Sequence, residues 1–221
     1  MKNLKDKYEK ALYYEIFINN EYSIIEEKIK ESKIIFDIWS HIWLFSLYCL
    51  EINKNIDIHL FESNENNYNK SKDILQKYLN NIKFNNYFID NKNWIIEFYN
   101  NKEMTMQSSF YNNQFLCKNW EKQLIKSINL IEYIISNQLN YDNSIDLVKI
   151  DIEWYEFELL LNINEYFFKY TKSLIFEYHI LFPDFNLKYE LLLNLLKKYY
   201  KNIITQKSKY SEKIWLIYCS N

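Results

Sequence analysis

Acids in this 221-residue chain stand where short apolar runs stop. Ile34-Ile35-Phe36 leads into Asp37, and the alternating run 56–63, I-D-I-H-L-F-E-S, reaches Glu62. Leu147-Val148-Lys149-Ile150 is closed by Asp151, with Glu153 and Glu156 just beyond. The run 173–179, S-L-I-F-E-Y-H, ends in Glu177 and His179. Runs of this kind predict buried strands, and in an open α/β sheet ligands sit at the strands' carboxyl ends. A carboxylate closing the second strand is placed to accept hydrogen bonds from vicinal hydroxyls such as those of a ribose. Glu177 and His179 alternate, so they share one face of their strand. Histidine is the side chain suited to take a proton near neutral pH. Against these roles stand a solvated strand-end acid for Glu62 and a structural role for His179. For Glu153 and Glu156 the competing role is stabilisation of a helix N-terminus by acids.

The stretch 34–48, I-I-F-D-I-W-S-H-I-W-L-F-S-L-Y, predicts the unit that positions the first acid. A buried strand ends at Asp37, a tight loop follows, and Ile42, Phe45, Leu47 and Tyr48 recur at helical spacing. Such a loop holds a ligand against a helix N-terminus. It normally needs glycine, which reaches positive φ at little cost and lets backbone approach the ligand. Here Trp39, Ser40, His41 and Trp43 fill it. Around this unit the pattern predicts helical pieces over 1–31 and a helix over 64–81 capped by Ser63 or Asn64. A β-rich segment spans 83–127, with candidate strands at 86–89, 95–99, 104–111 and 123–126. Helices are expected over 128–139 and 187–200, the latter beyond the only proline, Pro183. Residues 203–205 and 214–218 are expected as an antiparallel closing pair. Strands alternating with helices imply an α/β domain with a mostly parallel sheet.

With glycine at 39 and 43 the first motif would read F-D-I-G-S-H-I-G-L-F-S-L-Y. It then resembles the first motif of S-adenosylmethionine-dependent methyltransferases of the FkbM type. With glycine at 154, the segment 145–160, I-D-L-V-K-I-D-I-E-W-Y-E-F-E-L-L, resembles that family's second signature, D-[IV]-E-G-x-E. The resemblance covers residues 12–182. It implies a Rossmann-like class I methyltransferase fold: a seven-stranded, mostly parallel sheet with an antiparallel last strand and helices on both faces. The domain implied spans 1–221, with 1–31 a helical segment over the cofactor site and 32–221 the catalytic core. The cofactor implied is S-adenosyl-L-methionine, held by Asp37, residues 39–41 and 43, Glu62 and Asn86, the last near the adenine. Methyl transfer is expected to a hydroxyl of a sugar, glycan or other small acceptor, with Asp151, Glu153, Glu177 and His179 as catalytic candidates. Ser108-Ser109 match a small-residue pair of the family's β insertion. The alternatives are a methyltransferase-like domain that binds without catalysing and a nicotinamide enzyme. The second lacks a G-x-G-x-x-G loop even with the glycines restored.

Composition bears on the tryptophans. An average chain is about 7% glycine, so roughly fifteen are expected at this length. This chain has none, and it has 6 Trp. Trp39, Trp43, Trp94 and Trp154 all stand where the family pattern has glycine. The reading adopted is that UGA codons meaning glycine were translated as tryptophan; the competing one is a glycine-free protein with a blocked loop. The formal net charge of −2, with interleaved signs, carries no basic footprint for nucleic acid. No apolar run reaches the roughly 18–20 residues of a membrane span, and no signal-peptide core begins the chain. Cys49, Cys117 and Cys219 are scattered, without a metal-type C-x-x-C pair, and predict reduced thiols in a cytoplasmic protein with no metal.

Overall fold

A computed structural model describes residues 7–100, 121–139, 145–152, 155–180, 185–208 and 213–221, without the side chains of Asn100 and Phe185. In chain order the strands are β1 Ile34–Ile38, β2 Asp57–Phe61, β3 Ile82–Asn85, β4 Phe88–Asp90, β5 Ile95–Asn100, β6 Glu121–Asn129, β7 Leu147–Ile150, β8 Ser173–His179, β9 Asn202–Lys207 and β10 Ile214–Ser220. The α-helices are α1 Lys7–Tyr13, α2 Glu26–Glu31, α3 Leu44–Ile52, α4 Glu65–Ile74, α5 Leu130–Ser136, α6 Glu156–Asn162, α7 Tyr166–Tyr170 and α8 Phe185–Leu196. Seven strands form one sheet in the order β3-β2-β1-β7-β8-β10-β9. β3, β2, β1, β7 and β8 are mutually parallel, and the last strand, β10, runs antiparallel to both β8 and β9. A smaller sheet, β4-β6-β5, lies between β3 and β7 in the chain.

The central strands are apolar on both faces because both faces are covered. Phe36, Ile38, Val148, Ile150 and Phe176 pack with α5, α6, α7 and α8. Their alternates Ile35, Leu147 and Ile175 pack with α2, α3 and the N-terminal segment. Strand alternation therefore puts Asp37, Lys149, Glu177 and His179 on the second face, beneath α3 and residues 16–29.

The structure moves several boundaries. The strand expected at 86–89 falls at Phe88–Asp90, β4 of the small sheet, and the parallel edge strand, Ile82–Asn85, was not expected from the sequence. Asn86 is held out of it, donating from Nδ2 to the carbonyls of Glu62 (2.8 Å) and Ser63 (3.3 Å). The helix expected to residue 81 stops at Ile74 and gives way to a 3₁₀ turn, Gln76–Tyr78. Leu75 leaves α geometry there and is buried. The helix α7 was not expected from the sequence. The candidate strand 104–111 with Ser108-Ser109, and Cys117, Glu153, Trp154 and Pro183, lie outside the described residues. Cys49 and Cys219 are buried free thiols, and burial pushes Cys219 up to about 12. Among the described residues no helix is long and apolar enough to cross a membrane.

Candidate cofactor and acceptor site

β2, β1, β7 and β8 are adjacent and parallel, so their carboxyl ends open at one edge of the sheet. That brings Glu62, Asp37, Asp151, Glu177 and His179 together. The intervening loop has an unusual backbone. Trp39 (φ 64°), His41 (φ 49°) and Trp43 (φ 72°) are all left-handed. Positive φ is rare outside glycine, though histidine visits it more readily than most, and for a bulky residue it is an outlier. Trp43 is the N-cap of α3 and provides no side-chain cap. Both indoles are buried, Trp39 at 6% and Trp43 at 4% exposure. Trp39 stacks edge-on against Phe88 and Phe98, and the Trp43 Nε1 is buried with no hydrogen-bond partner among the described residues. Trp94, the other described position at which the family pattern has glycine, has no positive φ and donates from Nε1 to Asp90 (2.6 Å).

Asp37 is fully buried below this loop. Its Oδ2 accepts from the Ser46 hydroxyl of α3 at 2.6 Å, and burial raises its pKa. In the parallel register Asp37 lies beside Lys149. The Lys149 Nζ is 3.8 Å from Asp37 Oδ1 and 3.2 Å from Asp151 Oδ2, and donates to the Trp39 carbonyl at 3.1 Å. Its side chain is 5% exposed, yet its pKa is raised, because Asp151, Asp37 and Glu177 together outweigh the burial that lowers it. Lys149 is the main group that sequence reasoning missed. A lone lysine inside L-V-K-I, a strand buried on both faces, was the available signal, since lysine is almost never fully buried unless paired.

Glu62 follows β2 and is 1% exposed. Its Oε1 accepts the Asn64 N–H at 2.7 Å, while Oε2 is buried without a hydrogen-bond partner among the described residues. Burial pushes its carboxyl up to about 8, against the pull of the Asn64 and His41 backbone N–H groups. An acceptor oxygen left open at a strand's carboxyl end suits a ligand hydroxyl. Ser63 and Asn86 line a cavity of about 530 Å³ whose walls include Tyr68, Phe84, Tyr87 and Lys126. Ser40 is buried in the loop, and its backbone N–H donates to Phe61 O at 3.0 Å, tying loop to β2.

On the other side of Asp37, Asp151 is the more open acid, its side chain 25% exposed. Burial and the charge of Asp151 raise the Glu177 carboxyl, while His179 pulls it down. His179 ends β8 with Nδ1 at 3.6 Å from Glu156 Oε1. Glu156 is fully buried, and its Oε1 accepts the Ile152 N–H at 3.0 Å, so it caps the turn into α6 from inside. The N-terminal segment closes over this end. It passes from α1 into a π-helical turn, Tyr14–Ile18, and Tyr22 packs edge-on against Phe45 of α3 at 4.9 Å. Burial with the charges of Glu21 and Asp151 pushes Glu15 up to about 7. The charges of Glu177, Asp151, Glu15 and Asp37 all bear on the Tyr22 phenol. No sequence signal marked Glu15 or Tyr22, because only the folded path brings them to the strand ends.

No family model matches the chain, and no curated protein matches it in sequence. Solved structures do match in fold. An S-adenosylmethionine-dependent methyltransferase from Aquifex aeolicus superposes with a TM-score of 0.51 at 12% identity, covering 99% of this chain and 95% of that one. An O-methyltransferase from Thermotoga maritima gives 0.52 at 9% identity, covering 91% and 64%. The fibrillarin pre-rRNA processing protein of Methanococcus jannaschii gives 0.52 at 9% identity, covering 87% and 68%. The chain has the Rossmann-like methyltransferase fold.

Proposed function

We propose that this chain is an S-adenosylmethionine-dependent methyltransferase of the FkbM type, acting on a hydroxyl of a sugar, glycan or other small acceptor. The observation that carries the reading is Glu62: a buried strand-end carboxylate with one oxygen that has no hydrogen-bond partner among the described residues, next to a left-handed loop at a helix N-terminus. The two motif resemblances and the fold of the neighbours support it. Glu62 would accept the ribose hydroxyls, Asn86 and the adjoining cavity would receive the adenine, and residues 39–43 would face the methionine end. With tryptophan at 39 and 43, both buried at this loop, the cofactor is expected to bind poorly, because a side chain fills space that a backbone-lined loop leaves to the ligand.

On the acceptor side, Asp151, Glu153, Glu177 and His179 are the groups available to orient a hydroxyl and take its proton. Positioning alone contributes up to about 7–11 kcal/mol in ideal cases, and a positioned base adds about 10²–10⁴ in rate. A thermal-shift comparison tests the reading. With glycine at 39, 43 and 154, S-adenosylhomocysteine is expected to raise the melting temperature and NAD to leave it unchanged. The chain as written is expected to respond to neither. Stabilisation of the glycine form by NAD alone overturns the methyltransferase assignment.

A further inference from the structure

We infer that positions 39 and 43 are glycine in the physiological polypeptide. The inference deepens the proposed function but stands on separate observations. The fold holds residues 39 and 43 at φ 64° and 72°, the left-handed region that only glycine enters freely. His41 between them is left-handed too, so three of the five loop residues, 39, 41 and 43, share this geometry. Loops that alternate in this way turn backbone N–H groups inward as anion-binding concavities, and glycine serves them because a side chain would fill the concavity. At the second position the packed indole strands a polar group: the Trp43 indole N–H is buried with no hydrogen-bond partner among the described residues. The other described tryptophans, Trp94 and Trp215, have no positive φ, so left-handed geometry is not a general property of tryptophan in this chain. A chain of 221 residues without one glycine supplies the independent reason to doubt the residue at 39 and 43. A UGA codon read as glycine in the source cells and as tryptophan elsewhere accounts for all of these together.

Two measurements decide it. In protein purified from its source cells, the peptide spanning 37–50 is expected to carry glycine at both positions, each lighter by the whole indole side chain, and the coding DNA to carry UGA there. UGG codons at 39 and 43, with tryptophan in the peptide, overturn the inference. In the recombinant 221-residue chain, the paired variants Trp39→Gly/Trp43→Gly and Trp39→Ala/Trp43→Ala differ only by the Cβ atoms. The glycine pair is expected to melt higher, because alanine resists left-handed backbone. At ordinary right-handed positions alanine would win, so an alanine pair that melts higher overturns the backbone premise. Neither measurement involves cofactor. A glycine-bearing native loop that ignores S-adenosylhomocysteine would therefore refute the proposed function and leave this inference standing.

Discussion

Glu62 is under opposed demands at the scale of a single residue. Hydrogen bonding to a diol favours its ionised form, whereas burial pushes its carboxyl up to about 8 from an ordinary 4.5. Between those values the folded chain holds a proton that the unfolded chain has released. Its contribution to stability is therefore complete below pH 4.5 and lost as pH rises through about 8. Glu62→Gln removes that titration. The variant is expected to gain on the parent by on the order of 2–4 kcal/mol between pH 5 and pH 8, read by urea denaturation at both values. A constant difference across that range would place Glu62 in contact with water. In the glycine form the same variant should bind S-adenosylhomocysteine roughly ten- to hundredfold more weakly, the loss of a charge-assisted bond of about 1.5–3 kcal/mol.

At the scale of elements the loop 39–43 and strand β7 are one unit, joined by Lys149. Its ammonium meets the carbonyl of residue 39, Asp37 beneath α3, and Asp151 beyond β7. Breaking such a buried pair costs about 3–5 kcal/mol because an uncompensated charge is left behind. Lys149→Met therefore tests charge and anchoring together, and Lys149→Met/Asp37→Asn separates them by removing the stranded carboxylate. Hydrogen exchange over residues 38–46 is expected to accelerate in both variants, with overall stability partly restored in the double. Unchanged exchange in the loop of the double variant would show that Lys149 only balances charge. The tryptophans set a second balance in this loop. Left-handed strain of about 1–3 kcal/mol at each position is offset by buried indole packing, whose removal costs about 3–5 kcal/mol. Stability alone therefore hardly distinguishes tryptophan from glycine, which is why the comparison with alanine is informative.

Over the whole molecule, titrating groups on the two faces of the sheet pull in opposite directions. His59 lies under α5, its Nδ1 2.8 Å from the Tyr133 hydroxyl, which in turn donates to Asn85 Oδ1 at 3.1 Å. Burial and Lys83 lower its pKa to about 4, so its contribution is complete above about pH 6.5 and is lost as pH falls toward 4. Glu15 and Glu62, raised to about 7 and about 8, lose theirs as pH rises from 4.5. Above pH 6.5 the histidine no longer changes and the acids act alone. Net stability is expected to fall between pH 6.5 and pH 8, seen as a lower urea midpoint at the higher pH. An equal or higher midpoint at pH 8 would mean that the strand-end acids are ionised throughout.

The sequence by itself determined the class of fold, the strands β1, β2, β7 and β8, and the strand-end positions of Asp37, Glu62, Asp151 and His179. These follow from short-range pattern: apolar runs must be buried, and each ends where a polar residue meets the sheet's edge. The pattern also put tryptophan at 39 and 43 in a loop of a kind that favours glycine, and both positions have positive φ. Tertiary structure alone decided what those groups do to one another. Asp37 turns under α3 to Ser46 and Lys149, and Glu62 is buried while Asp151 stays partly exposed. Glu156 is an internal cap facing His179, where the sequence allowed a dipole-stabilising surface acid. The small sheet and the N-terminal segment bring β6, Glu15 and Tyr22 into place through contacts that no local period encodes. Pairing of distant residues, and the burial that moves their charges, depend on how strands and covering helices come together in space.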